Sequence, residues 1–275
     1  MARGYYLIVG VSQPSPSSGW QAKRLRGVPH DVVNMSNFLN QRGLEALVEP
    51  PQDDAAEHDV VLEELRSAAR RCRPGDLFVF YYSGHGAEQD GATAAEQEDQ
   101  LLLTYDKPIV DNELAEIWPT FSKDVRIVVI TDSCHSGTVT RGAMRTAGRW
   151  RVPSIGVKSL TSRTIDSHSD GRTTRSGETR GADETGFEGT LLHLAACRDS
   201  QEAEDVGIGG AFTVALLNSW KPNSSYLGLS DRVAEEMPNG QENQLNVYGA
   251  WKTMIKEQFA FTVDTRWPPT REVRI

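Results

Sequence analysis

The sequence predicts an α/β fold, a mostly parallel central sheet with helices on both faces. Three observations carry that reading. Segments rich in β-branched and aromatic residues alternate with segments of helical periodicity. The strand-like segments are continuous apolar runs, which suits strands buried on both faces. The chain has 275 residues and 38% hydrophobic content, enough for one large core, and shows no internal repeat.

The elements follow in order. YYLIVGVS (5–12) reads as a buried strand and PSPSSGW as loop. PHDVVNMSNFLNQRG (29–43) reads as a helix, with Val32, Met35, Phe38 and Leu39 on one face and Gly43 at its C-terminal end. LEALVE (44–49) reads as a second strand, and HDVVLEELRSAARRC (58–72) as an amphipathic helix closed by RPGD. LFVFYYS (77–83) is too apolar for a strand with one wet face, and QLLLTYD (100–106) reads as a strand or half-hairpin. DNELAEIW (111–118) reads as a short helix with Asp111 at its N-cap, and VRIVVITD (125–132) as another buried strand. GTLLHLAAC (189–197) reads as a strand, GGAFTVALLNSW (209–220) as a helix, 228–237 as a further helix and EQFAFTV (257–263) as a last strand.

Composition narrows the function classes. The net charge of −9 argues against general nucleic-acid binding. Mean hydropathy is −0.46, and no apolar run approaches the length of a membrane span. The N-terminus runs directly into a strand-like segment without the apolar core of a signal peptide, so a cytoplasmic protein is expected. Three cysteines, Cys72, Cys134 and Cys197, fit a reducing compartment better than a disulfide framework. Charge is unevenly spread: residues 138–182 hold nine Lys/Arg and three acids, a local +6 that leaves −15 on the remainder.

In sheets of this kind the working residues gather at the carboxyl ends of strands. Two strands end in chemically loaded stretches, YYSGHGA around His85 and VVITDSCHSGTV around Cys134. If those strands are neighbours, His85 and Cys134 emerge side by side. A thiol and an imidazole so placed make a nucleophile and its base. The oxyanion formed on attack needs preorganised donors, for which the backbone N–H groups of Gly86 and Cys134 are candidates. The glycines flanking His85 leave room for the base and for such a donor. His135 adjoins Cys134 and is expected to point the opposite way. Taken singly, Gly-His-Gly is usually a turn and a buried cysteine usually inert core, and Cys72 and Cys197 are read as core. A zinc site from His85, Cys134, His135 and Cys197 lacks CxxC or HxxxH spacing, and no metal site is expected.

These motifs resemble those of the metacaspases and their prokaryotic relatives the orthocaspases, cysteine peptidases of caspase-like fold. YYSGHG and DSCHSG match that group's histidine and cysteine motifs, and their separation is caspase-like. LRGVPHDVVNMSNFL (25–39) is similar to its L-x-G-C-x-N-D-A-x-x-M stretch, with Val28 where cysteine is common. ACRDSQEAEDVGIGGAFTVALL (196–217) is similar to its S-G-C-x-D-x-Q-x-S-A-D … G-A-F-T block, and NQLNVYG (243–249) to its closing P-Q-L segment. The resemblance implies one caspase-like peptidase domain over 1–275: a large-fragment part (1–137), a basic processing loop (138–188) and a small-fragment part (189–275). It implies a protein substrate cut after Arg or Lys, gripped by Asp31, Ser83, Asp132 and Asp205. Carboxylates suit that cation, whereas animal caspases, which cut after Asp, need arginines there. Asp31 or Asp205 alone is equally well explained as a helix cap. Many metacaspases require calcium; Asp99, Asp111 and Asn112 lie near the expected ligand positions. The position seven residues past Cys134, often Asp in calcium-dependent members, is Arg141, so no cofactor is expected.

The 138–188 segment is rich in Ser, Thr, Gly and Arg and reads as a long mobile loop. An arginine-specific peptidase would find it cleavable, which points to a zymogen cut by itself or by an upstream protease. Arg151, Arg163, Arg172, Arg175 and Arg180 are candidate cleavage sites. Two alternatives for the loop stay open, a plain solvated linker with no processing role and an inhibitor docked in the acidic pocket. Two further readings stay open: a clan relative with another P1 preference, and a catalytically idle scaffold. A monomer is expected, and a role in bacterial stress or antiphage signalling by analogy alone.

Overall fold

Side chains of a strand alternate between faces, and in this chain both sets are apolar. Tyr5, Leu7, Val9, Phe78, Phe80, Ile127 and Val129 go to one core; Tyr6, Ile8, Val79, Tyr81, Val128 and Ile130 go to a second. A sheet that buries both faces needs helices on both, and the molecule has them. The structure, a computed structural model, describes residues 2–20, 22–89, 99–133, 187, 189–196, 209–238, 241–263 and 267. Its strands are β1 (Gly4–Val11), β2 (Glu45–Ala46), β3 (Leu77–Gly84), β4 (Gly86–Gln89), β5 (Asp99–Leu103), β6 (Pro108–Val110), β7 (Arg126–Asp132), β8 (Thr190–Ala195) and β9 (Gln244–Gly249). Its helices are α1 (Val28–Asn40), α2 (His58–Arg71), α3 (Asp111–Ile117), α4 (Ala211–Ser219), α5 (Tyr226–Glu236) and α6 (Lys252–Glu257).

The central sheet runs β2-β1-β3-β7-β8-β9, with only the β8–β9 pair antiparallel. Helix α2 supplies Val61, Leu62, Leu65, Ala68 and Ala69 to the first core, and α3 with the turn after it supplies Leu114, Ile117, Trp118 and Phe121. Helices α1, α4 and α5 cover the other face through Val32, Met35, Leu39, Phe212, Leu216, Leu229 and Val233. The apolar stripe of α1 recurs at helical spacing, and the chain leaves it through Gly43 at φ +75°, a left-handed position that glycine occupies without strain. Among the described residues, no helix is long and apolar enough to cross a membrane.

The structure departs from the sequence reading in four places. Beside the central sheet stands a small antiparallel one, β4-β5-β6; of its strands the sequence reading had only the middle one. Strand β9, read only through its family resemblance, closes the central sheet along β8. The expected last strand at 257–263 is instead the end of α6 followed by a turn, touching Ser225 through one isolated bridge at Phe259. Its apolar residues serve a corner: Phe261, at φ +60°, packs edge-on to Phe38 and Tyr226. The buried Arg126 Nη1 also donates to Gln258 Oε1 (2.8 Å) and the Thr262 carbonyl (3.1 Å), drawing this segment across the amino end of β7. Last, Asp111 is the first helical residue of α3, not its N-cap; Val110 precedes it, and its N–H donates to Glu113 Oε2 at 3.0 Å.

Cys72, read as core, is buried where α2 ends. Burial, reinforced by the Asp76 charge, pushes its thiol up to about 12. The unfolded chain then loses that proton at a lower pH than the folded chain, so the folded state binds more protons between the two values and stability falls as pH rises through that window. Urea midpoints at pH 7.5 and pH 10 should therefore fall further for the wild type than for Cys72→Ala; parallel falls would contradict this account of the thiol.

Candidate active site

Strands β3 and β7 are parallel hydrogen-bonded neighbours, and their register sets Ser83 opposite Asp132. His85 and Cys134 each follow that pair by two residues. Adjacent strands lie about 4.8 Å apart, so the two sequence motifs belong to one stretch of sheet edge. Cys134 itself lies outside the described residues, as do His135, Arg141, Cys197, Asp205 and the five loop arginines Arg151, Arg163, Arg172, Arg175 and Arg180.

His85 is half-buried, with Nε2 2.6 Å from the Lys23 carbonyl oxygen. A carbonyl can only accept, so Nε2 carries a proton, and Nδ1 is the nitrogen left to act as a base. Two consecutive tyrosines hold the surroundings, one on each face of β3. The Tyr82 hydroxyl lies 2.8 Å from both the His85 and Leu103 carbonyls and is shared between them, tying the histidine backbone to β5. This explains Gly84: a Cβ there would stand 2.5 Å from the Tyr82 hydroxyl oxygen and 3.0 Å from the Val11 carbonyl. The room that glycine leaves is taken by tyrosine. Gly86 opens β4, paired with Leu102.

On the opposite face Asp31, Ser83 and Asp132 are all buried. Asp31, from α1, accepts the Ser83 hydroxyl (2.8 Å) and shares the Gly210 N–H between its two oxygens (3.0 Å each). Asp132 Oδ2 accepts the Thr213 N–H at 3.0 Å and the Thr213 hydroxyl at 2.6 Å. The Thr213 hydroxyl has spent its one proton on Asp132, so the Tyr81 hydroxyl donates to Thr213 Oγ1 across 2.6 Å. Burial, then the charges of Asp31 and Asp132, hold the Tyr81 phenol well above its usual pKa. The N-terminus of α4 thus satisfies two carboxylates. Asp31, in the first turn of α1, serves the N-terminus of another helix, α4, 179 residues on. Both glycines before α4 are required: a Cβ at Gly209 would come 2.6 Å from Asp31 Oδ1, and one at Gly210 would overlap the Asp132 carboxylate.

Three of the four acid-pocket residues read from the sequence therefore lie together, the fourth being Asp205. Sequence reasoning missed Tyr81, Tyr82, Gly209, Gly210, Thr213 and the Lys23 carbonyl. The signals that would have found them were the tyrosine pair before Ser83 and the glycine pair before AFT. Of the calcium candidates, Asp111 and Asn112 lie in the first turn of α3, and Asp99 opens β5, its side chain outside the described set.

The caspase domain family model matches residues 3–259. The chain belongs to the caspase-domain family of cysteine peptidases. It is 25% identical to Metacaspase-1A of Aspergillus fumigatus over 274 residues, 84% of this chain and 65% of that protein. It is 23% identical to Metacaspase-1 of Meyerozyma guilliermondii over 300 residues, 92% of this chain and 67% of that one. The chain thus spans about two thirds of the length of these curated relatives. Two solved structures share the fold. A protein of Geobacter sulfurreducens superposes with a TM-score of 0.71 at 24% identity, covering 94% of this chain and 98% of its own. Caspase-1 from Spodoptera frugiperda gives 0.54 at 13% identity, covering 90% and 86%. In this family member the sheet order brings the histidine and cysteine motifs to neighbouring strands.

Removing the Thr213 hydroxyl leaves Asp132 and Tyr81 each short of a partner in a buried place. Thr213→Val should lose about 1–3 kcal/mol of stability, Thr213→Ser much less, and Gly210→Ala at least as much as the valine variant. Urea denaturation of the three measures this. Equal stability of Thr213→Val and wild type would show that the hydroxyl's bonds to Asp132 and Tyr81 contribute nothing.

Proposed function

We propose that this caspase-family chain is an endopeptidase that cuts protein substrates after Arg or Lys with a His85–Cys134 pair. The observation that supports it most is the β3–β7 register, which puts both motifs two residues past one cross-strand pair. In this reading His85 Nδ1 takes the Cys134 thiol proton while Nε2–H stays on the Lys23 carbonyl. The thiolate attacks the scissile carbonyl, and the backbone N–H groups of Gly86 and Cys134 receive the oxyanion. The proton then passes from His85 to the departing amine, leaving an acyl-enzyme that water hydrolyses with His85 as base.

The basic P1 preference is supported by two buried carboxylates, Asp132 at the end of β7 and Asp31 in the first turn of α1, the latter bonded to Ser83 at the end of β3. Asp205 is proposed as a third acid of the pocket. We further propose activity without calcium. What supports this is sequence alone: Arg141 stands at the motif position that is often Asp in calcium-dependent relatives, and a fixed guanidinium there could take the place of the ion beside the acids.

Matched fluorogenic peptides ending in Arg, Lys, Asp or Leu test all of this. Wild type should cleave after Arg and Lys, Cys134→Ala after none, and chelator should leave the rate unchanged. Asp132→Asn, checked to fold, should lose about 30-fold or more on the Arg peptide, the lower end of what a buried charge pair is worth. Cleavage after Asp or Leu would refute the pocket, loss in chelator restored by calcium would refute the metal reading, and silence toward every peptide would point to an uncleaved zymogen or to the idle scaffold.

Activation by cleavage within 138–188 is proposed on the density of arginines there, +6 net over 138–182. Intact mass after storage should show wild type cut at one or more of Arg151, Arg163, Arg172, Arg175 and Arg180, and Cys134→Ala whole. Identical uncut masses refute self-processing.

A further inference from the structure

We propose that the amino end of the central sheet carries a binding pocket for a small phosphate-bearing anion, remote from the His85–Cys134 edge. A cavity of about 590 Å³ opens there, its lining including Arg3, Arg70, Arg71, Arg73, Tyr5 and Asp76. Clefts that hold small ligands run from about 300 to 1,000 Å³, so the volume suits a nucleotide or a pyrophosphate. Asp76 and Ser83 stand seven residues apart in sequence, which along an extended strand is about 23 Å. The pocket and the candidate active site are therefore at opposite ends of β3.

The charge of the lining is what singles the cavity out. Outside residues 138–182 the chain carries −15, yet four arginines from two stretches of chain, Arg3 and 70–73, line this one cavity. Asp76, the acid in the lining, is turned to the backbone: Oδ1 accepts the Arg3 N–H and Oδ2 the Arg73 N–H, both at 2.8 Å. Arg70 is paired with Glu63 at 2.6 Å in an exposed ion pair, a kind worth little against a multiply charged competitor. Arg71 lies over the Tyr5 ring at 4.8 Å, which sets its guanidinium plane beside an aromatic face. Arginine in the last turn of α2 complements the helix dipole, and that accounts for Arg70 and Arg71. It does not account for Arg3 and Arg73, which come from outside the helix. Guanidinium groups match phosphate oxygens in bidentate geometry. The acidic body decides the size of the ligand: it repels a long polyanion at a distance, whereas a compact anion meets chiefly the local field.

Calorimetric titration of the full chain carrying Cys134→Ala, which keeps it whole, tests the proposal with inorganic pyrophosphate and with ATP as probes. At about 150 mM salt at least one should bind saturably at one site with Kd below about 1 mM. Adding Arg71→Ala and Arg73→Ala should weaken that binding tenfold or more, and Arg3→Gln alone should weaken it too. Arg66→Ala, on the same helix but outside the pocket, should change nothing; near-UV circular dichroism confirms that each variant is folded. Absence of saturable binding to both probes overturns the proposal. So does binding that survives in the folded Arg71/Arg73 variant, which would assign the anion to the arginines of 138–182. Capture by phosphatidylserine vesicles without binding of either soluble probe would overturn it in favour of a membrane surface. None of these outcomes bears on the peptidase reading, because all use the inactivated chain.

Discussion

The pairing of β3 with β7 is the constraint on which the rest of the molecule depends. Seven register pairs lock the two strands in parallel, from Leu77–Arg126 to Ser83–Asp132. A slip of one residue would send every side chain of one strand to the wrong face. Both faces are apolar, so hydrophobicity alone would tolerate that slip. What forbids it is the set of polar ends: the Tyr81 hydroxyl must reach Thr213 on one face while Tyr82 reaches His85 and Leu103 on the other. The consecutive tyrosines act as a register pin and build both halves of the site with one dipeptide.

On the α4 side, two carboxylates, a serine and a threonine form a fully buried polar layer. Such a layer is costly unless each member has a partner. Here the partners come from four separate places, α1, β3, β7 and the start of α4, so the layer exists only when all four are assembled. That gives α4, apolar at six of its nine positions, a unique seating. Apolar contacts hold α4 against the sheet; the carboxylates fix where along the sheet it begins.

Most of the central architecture was legible because burial on both faces leaves an unmistakable mark: long apolar runs such as LFVFYYS and RIVVITD. The histidine and cysteine stood out for the opposite reason, as chemistry set where core ought to continue. Edges were harder. Strand β9 mixes Asn and Gln with Leu and Val because, among the described residues, it pairs with β8 alone and its faces are half-buried. The segment 257–263 misled because Phe259, Ala260 and Phe261 mimic a strand while packing a corner around Phe38. The partners of Asp31 were illegible in principle, since Gly210 lies 179 residues away and nothing local to either position announces the other. Glycine pairs are informative only once it is known which atoms press against them.

The topology also separates covalent continuity from structural continuity. Strands β7 and β8 are adjacent and parallel, joined by six register pairs, yet 57 residues of chain lie between Asp132 and Thr190. The ladder that seats β8 between β7 and β9 is made by residues on either side of that connection. Were it severed, the sheet would lose no ladder bond between these strands, and the two pieces would stay together as a tightly interleaved heterodimer. Only the order of reassembly would change. Refolding, intramolecular in the intact chain, would become a second-order encounter dependent on protein concentration, so a severed molecule that once came apart would recover slowly at dilution.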